Sequence, residues 1–193
     1  YTQLIARRVR EAKVYCEIFP YNAGLEKVKA FRPKGMILSG GPSSVYDSGA
    51  PLIDKTHLAL GIPVLGICYG MQLLTHIQGG VVAKSQKREY GRAELMIDAV
   101  AGLFEGIGAK PGTPNAKLGT VVWMSHGDRI EKMPPGFTSV ARTDNAPIAA
   151  MQDATGRLYG IQFHPESILT ENGLDLLQNW LNSFVVVHAP HGK

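Results

Sequence analysis

The sequence predicts an α/β protein built on a single open, mostly parallel or mixed sheet flanked by helices, with an additional antiparallel strand region in its second half. Two observations carry that prediction. Over roughly the first eighty residues, short and nearly continuous apolar runs alternate with helical segments, the pattern of a sheet covered on both faces. Beyond Gly79-Gly80 the texture changes to successive strand-like stretches with short connections. A chain of 193 residues, 45% of them hydrophobic, is long enough to fill one core, and residues 1–185 are expected to form one domain followed by a disordered tail at 186–193.

The opening stretch "TQLIARRVREA" spaces Ile5, Val9 and Ala12 for one face of a helix. "KVYCEIF" (13–19) alternates and is rich in β-formers, so a strand is expected there. "NAGLEKVKAF" reads as helix, "KGMILSG" (34–40) as a buried strand, "LIDKTHLALG" as helix and "IPVLGI" (62–67) as another buried strand. The helix beginning at residue 69 turns Leu73, Leu74 and Ile77 inward. "GVVAKS", "GRAELMI", "TVVWMS", "FTSVAR", "APIAAMQ" and "RLYGIQF" are expected strands, and residues 106–118, rich in Gly and Pro, a mobile surface loop. The tail "ENGLDLLQNWLNSF" returns to helix, with Leu174, Leu177, Leu181 and Phe184 on one face.

Composition excludes several classes. No apolar run approaches the roughly 18 to 20 residues of a membrane span, and no signal peptide is visible. The net charge of +4 is spread in small groups, unlike the gathered basic face of a nucleic-acid binder. Two cysteines make no disulfide framework, and no metal site is expected. A cytoplasmic location fits this usage.

Chemistry concentrates in three places. In "GICYGMQ" (66–72), Cys68 sits between glycines where a buried strand passes into a helix, the thiol version of a nucleophile elbow. The helix N-terminus favours thiolate there, and the backbone N–H of Tyr69 can meet an oxyanion formed by attack of Cys68. In "YGIQFHPES", His164 and Glu166 lie two apart at a strand end and share a face. If Pro165 turns the chain, Glu166 orients the imidazole while its other nitrogen serves Cys68 as general base and acid. In "ILSGGPSS" (37–44), a Gly-Gly-Pro turn follows a buried strand, and Gly41 N–H is the candidate second oxyanion donor. A phosphate loop is disfavoured because the Gly-Lys-Ser/Thr ending is absent.

"PVLGICYGMQ", "ILSGGP" and "GIQFHPE" resemble the class I, triad-type glutamine amidotransferases along nearly the whole chain. The resemblance implies their flavodoxin-like fold and glutaminase chemistry, with Cys68, His164 and Glu166 as the triad, Gly41 and Tyr69 as oxyanion donors, and no cofactor in this domain. It further implies that Gln72 helps hold L-glutamine and that Ser125 and Gly127 lie around its amino-acid end, while His126 and Asp128 either shape this loop or face a partner. Within the family, "SGGPSSVYDSGAP", "REYGRAEL" and "WMSHGD" are similar to the glutaminase part of GMP synthetases. There a partner domain uses ATP (and Mg) to aminate XMP, and a strand precedes a segment like "YTQLIARRVRE". "FHPESILTENG" is closer to the glutaminase partners of anthranilate and aminodeoxychorismate synthases, which keeps that acceptor open as an alternative. Hydrolysis of γ-glutamyl bonds and an inactive module using Cys68 as a redox sensor are further alternatives.

The remaining candidates read as structural. Cys16 lies on the expected strand without chemical company, Trp123 and Trp180 fill the core, His57 and His76 fall on expected helices without acidic neighbours at useful spacing, and His188 and His191 lie in a tail rich in Val, Pro and Gly. The basic stretch from Lys84 to Arg92 reads as a solvated hairpin.

Overall fold

The fold is described from a computed structural model, over residues 1–100, 102–108 and 118–183. Seven strands form one mixed sheet: β1 (Met36–Leu38), β2 (Val64–Ile67), β3 (Val81–Ile97), β4 (Gly119–Lys132), β5 (Phe137–Arg142), β6 (Ala150–Asp153) and β7 (Leu158–Ile161), in the spatial order β1-β2-β7-β6-β5-β3-β4. β1, β2 and β7 run parallel, and the other neighbouring pairs are antiparallel. The antiparallel region therefore continues the same sheet.

Helices α1 (Thr2–Glu11), α2 (Leu25–Phe31), α3 (Tyr69–Ile77) and α4 (Gly173–Asn182) complete the fold. Alternation along β2 divides the core. Leu65 and Ile67 pack with Ile5, Val9, Leu177 and Trp180 of α1 and α4, whereas Val64 packs with Met71, Leu73 and Leu74 of α3. Gly66, on the α3 side, is where the helix comes closest: a Cβ there would lie 2.5 Å from the Gly70 carbonyl oxygen.

Several local expectations change. Residues 13–19 form no strand: Lys13 and Val14 N–H only reach back to Arg10 and Val9 at the end of α1, and among the described residues no residue of this stretch joins the sheet and β1 is paired on one side only. Between this stretch and β1 lies an apolar groove of about 930 Å³, lined by Ile5, Val9, Val14, Ile18, Phe31 and Met36 among others. The free edge of β1 lies across this groove, out of reach of "KVYCEIF", so β-propensity alone makes no strand there. The segment 55–60 is a 3-10 helix. "GVVAKS" and "GRAELMI" belong to one long strand, β3, whose register with β4 shifts between Lys84 and Glu89, leaving Ser85 to Arg88 opposite Gly127. The basic stretch is thus a solvated part of β3 with an irregularity rather than a separate hairpin. In α4 the buried face is Gly173, Leu176, Leu177, Trp180 and Leu181, while Leu174 is 52% exposed. Phe184, residues 109–117 of the expected loop and the expected tail lie outside the described residues. Trp123 is only partly buried.

Candidate active site

The elbow is built by close approach. Cys68 follows β2 directly and adopts φ 53° and ψ −109°, a conformation that ordinary side chains avoid. Its N–H is anchored to the Ile161 carbonyl at 2.8 Å, and its side chain is buried at 3% exposure. Both flanking glycines are required by contact, since a Cβ on Gly70 would fall inside the Leu38 backbone carbonyl and one on Gly66 would meet Gly70. The first bond inside α3 runs from Gln72 N–H to the Cys68 carbonyl, 3.1 Å, so the amides at the start of the helix stay open beside the sulfur.

His164 and Glu166 converge on this thiol. His164 Nδ1 lies 2.7 Å from Glu166 Oε1, with both side chains almost fully buried. The segment after β7 is clamped: His164 N–H donates to the Trp123 carbonyl (3.1 Å), Thr170 Oγ1 donates to the His164 carbonyl (2.6 Å), and Arg8 Nε donates to the Glu166 carbonyl (3.2 Å). Tyr1 stacks on the His164 ring with centroids 4.7 Å apart. His164 Nε2 is buried without a hydrogen-bond partner of full geometry. Gly40 bridges the two groups, because a Cβ there would lie 3.1 Å from His164 Cε1 and 3.5 Å from Cys68 Cβ. Gly41, next in the chain, has open space above it.

Burial works to lower the His164 pKa, but the Cys68 sulfur, followed by Glu166, outweighs it and raises the pKa to about 9. The folded state then holds this proton more tightly than the unfolded chain does. The resulting stabilisation is fully present below pH 6.5, the ordinary imidazole value, and is lost as pH rises through about 9. The urea midpoint is expected to fall between about pH 7 and pH 9.5, and Glu166→Gln, which removes one of the raising partners, should bring that fall to lower pH. A midpoint independent of pH in the parent chain would contradict the coupling.

The loop of "MSHGD" lies on the other side of the sulfur, where Cys68 Sγ donates to the Ser125 carbonyl at 3.5 Å. Gly127 faces the irregular part of β3, with Arg88 Cγ and Nε each 3.9 Å from where a Cβ would stand. His126 does not point outward as a partner contact would. It is 3% exposed, and its two ring nitrogens meet Glu89 Oε2 at 3.0 Å and the Asp128 carbonyl at 2.8 Å. Its place on the inward-facing alternation of β4, with Val122, Met124 and Ile130, is the reason. Gln72 is buried on α3, and its Nε2 donates to the Asp128 carbonyl at 3.1 Å.

A profile of the family described as glutamine amidotransferase class-I matches residues 1–184. The chain belongs to this family. It is 55% identical over 184 residues to a GMP synthase [glutamine-hydrolyzing] of Wolinella succinogenes, covering 93% of this chain and 34% of that protein. A protein of the same name from Caldanaerobacter subterraneus subsp. tengcongensis is 52% identical over 181 residues, covering 94% of this chain and 34% of that one. The chain thus spans about a third of the length of these curated relatives. A crystal structure of a Thermoplasma acidophilum protein, described as one of the subunits of a GMP synthase, superposes with a TM-score of 0.75 at 26% identity, covering 94% of this chain and 87% of that one. The class-I amidotransferase fold expected from the sequence is therefore the one observed.

Some residues of the site carry little or no signal in the sequence. Gln162 Nε2 approaches the Cys68 sulfur at 3.7 Å. The only signal for it is its place two residues before His164, since both residues lie beyond the end of β7, where strand alternation no longer applies. Thr170, Arg8, Tyr1 and Glu89 carry no such signal, as each reaches the site through tertiary contacts alone. Cys16 lies beside the groove and donates to the Ala6 carbonyl, and His57 is held by two backbone carbonyls, so both sit in structural surroundings.

Proposed function

We propose that the chain hydrolyses L-glutamine to glutamate and ammonia with Cys68, His164 and Glu166 as its catalytic triad. The observation that carries this reading is the buried His164–Glu166 pair at 2.7 Å beside Cys68, which stands in a strained backbone conformation at the N-terminus of α3. The Cys68 thiolate attacks the side-chain carbonyl carbon of glutamine, and the oxyanion is taken up by the N–H groups of Gly41 and Tyr69. His164, protonated and held by Glu166, gives its proton to the departing nitrogen, which leaves as ammonia, and a thioester remains on Cys68. The now neutral imidazole takes a proton from water, whose oxygen attacks the thioester and releases glutamate and the thiolate. Gln72 helps hold the substrate glutamine, and Ser125 and Gly127 lie around its amino-acid end. No step calls on a cofactor in this domain.

The ammonia goes, in this reading, to an ATP-dependent synthetase unit that converts XMP to GMP. Support comes from the relatives named GMP synthase [glutamine-hydrolyzing], in which this chain matches only about a third of the length, leaving the remainder for other work. Asp128 is the residue of the "MSHGD" loop left to face such a partner. The cytoplasm is the assigned compartment, consistent with free thiols and with the absence, among the described residues, of any helix long and apolar enough to cross a membrane.

The test is reconstitution. Mixed with an XMP-aminating, ATP-using domain, the chain should let glutamine replace free ammonia as nitrogen donor. Glutamine-dependent amination of chorismate by a chorismate-using partner, with none of XMP, would reassign the acceptor. Failure to release ammonia from glutamine with either partner would remove the glutaminase reading itself.

A further inference from the structure

A run of polar contacts crosses the interior from the β3–β4 ribbon to the nucleophile. Thr143 Oγ1 donates to Glu89 Oε1 at 3.2 Å, and Glu89 Oε2 lies 3.0 Å from His126 Nε2. His126 Nδ1 faces the Asp128 carbonyl at 2.8 Å, and because a carbonyl only accepts, Nδ1 donates there. The same carbonyl accepts from Gln72 Nε2 at 3.1 Å. Gln72 Nε2 is also 3.5 Å from Gln162 Oε1, and Gln162 Nε2 reaches Cys68 Sγ at 3.7 Å.

We propose that Glu89 and His126 are positioning residues for the glutamine site, fixing the Asp128 carbonyl so that it holds the Gln72 side-chain amide in one orientation. The proposal rests on the glutaminase reading above and extends it to two residues outside the triad.

Three physical points support it. A carbonyl that accepts two bonds at once is restrained in direction, and here one donor is a buried imidazole backed by a carboxylate, a stronger anchor than a neutral partner. Burying such a pair is a poor way to gain stability, since desolvation offsets most of the attraction. A pair placed only to hold β3 against β4 would be redundant, because the ladder between these strands already extends on both sides of the shift. Lastly, Gln72 uses its amide nitrogen on Asp128 and Gln162, leaving its side-chain oxygen without a partner among the described residues. That oxygen is an acceptor whose direction is set by the chain of contacts behind it.

The role is separable from a structural one by using two thiol reagents. Iodoacetamide, with the modification read at the Cys68 peptide so that alkylation of the other free cysteine, Cys16, is not counted, reports on the Cys68 thiolate and its access. A diazoketone analogue of glutamine must first occupy the glutamine site, and its inactivation gives separate saturation and rate constants. In Glu89→Ala and His126→Ala, the efficiency of inactivation by the analogue should fall about tenfold, roughly the worth of one charge-assisted hydrogen bond, while iodoacetamide alkylation stays within about twofold. Glu89→Gln retains an acceptor for His126 and should restore the analogue reaction to within about threefold of the parent. Thermal melting of each variant accompanies the assay.

Analogue inactivation at the parental efficiency in both alanine variants would overturn the proposal. So would parallel loss with both reagents that Glu89→Gln does not repair, which would mark the pair as structural. If the parent chain itself shows neither saturation by the analogue nor protection by glutamine, the glutaminase reading fails, and this inference with it. Should His126→Ala fail to fold, Glu89→Ala against Glu89→Gln still decides.

Discussion

Cys68→Ala is expected to release no measurable ammonia from glutamine while keeping the parental fold. Removing a nucleophile of this kind costs on the order of 10⁴-fold or more in turnover, because the thioester can no longer form and only binding and oxyanion stabilisation remain. The fold survives because alanine keeps the Cβ, and because the anchor between residue 68 N–H and the Ile161 carbonyl involves only backbone. Alanine also inherits φ 53°. Cys68→Gly, equally inactive, escapes that penalty and should be the more stable of the two by about 1 kcal/mol, or a few degrees in Tm for a chain of this size. Ammonia release by Cys68→Ala at the parental rate would refute the assignment of the nucleophile, and a glycine variant that melts below the alanine variant would refute the strain.

The second large effect is Gly70→Ala. On an exposed helix this change stabilises by about 1 kcal/mol. Here the sign reverses, because the added methyl falls on the Leu38 carbonyl, a backbone group that cannot rotate away. Leu38 is locked into the sheet by its pairing with Gly66, so relief requires moving β1 or lifting α3. Either movement costs about 3 kcal/mol or more, seen as a lowered denaturant midpoint. It also displaces Gly40 from its place between Cys68 and His164, so any folded fraction should alkylate more slowly at Cys68. Gly41→Ala is the contrast: a methyl there meets nothing within 4 Å and should leave stability within about 0.5 kcal/mol. Equal midpoints for the two alanine variants would show that the contact at Gly70 is not limiting.

These residues also mark what a linear reading reaches. The glycines around Cys68 are legible because a reactive side chain at a cramped turn needs small neighbours, and the structure supplies the contacts that make them so. His164 and Glu166 are legible as a pair from the His-Pro-Glu spacing, but both lie beyond the end of β7, so it is the turn at Pro165 rather than strand alternation that brings them together. The strand expected at 13–19 is not realised, since propensity describes a residue's fitness for a ladder and says nothing of whether an edge lies within reach. Helical spacing puts Leu174 on the inner face of α4, where Leu176 and Trp180 stand instead; both sets have that spacing, and only the neighbouring helix decides between them. Glu89 and His126 are beyond reach for a further reason. Their meeting depends on a register shift in the β3–β4 ribbon, which no period in the sequence encodes.

The parallel pairing of β2 with β7 has a consequence for the order in which the protein acquires reactivity. Cys68 and Gln162, 94 residues apart in the chain, meet only once that pairing closes, and contacts of such long range belong to the slow part of folding. His164, and Thr170, which clamps its backbone carbonyl, come later still in the chain. During synthesis, the sulfur emerges from the ribosome long before the groups that would arm it. If the proposed triad is the catalytic one, a half-made copy carries an ordinary cysteine, and nucleophilic power arrives as one of the last events of maturation.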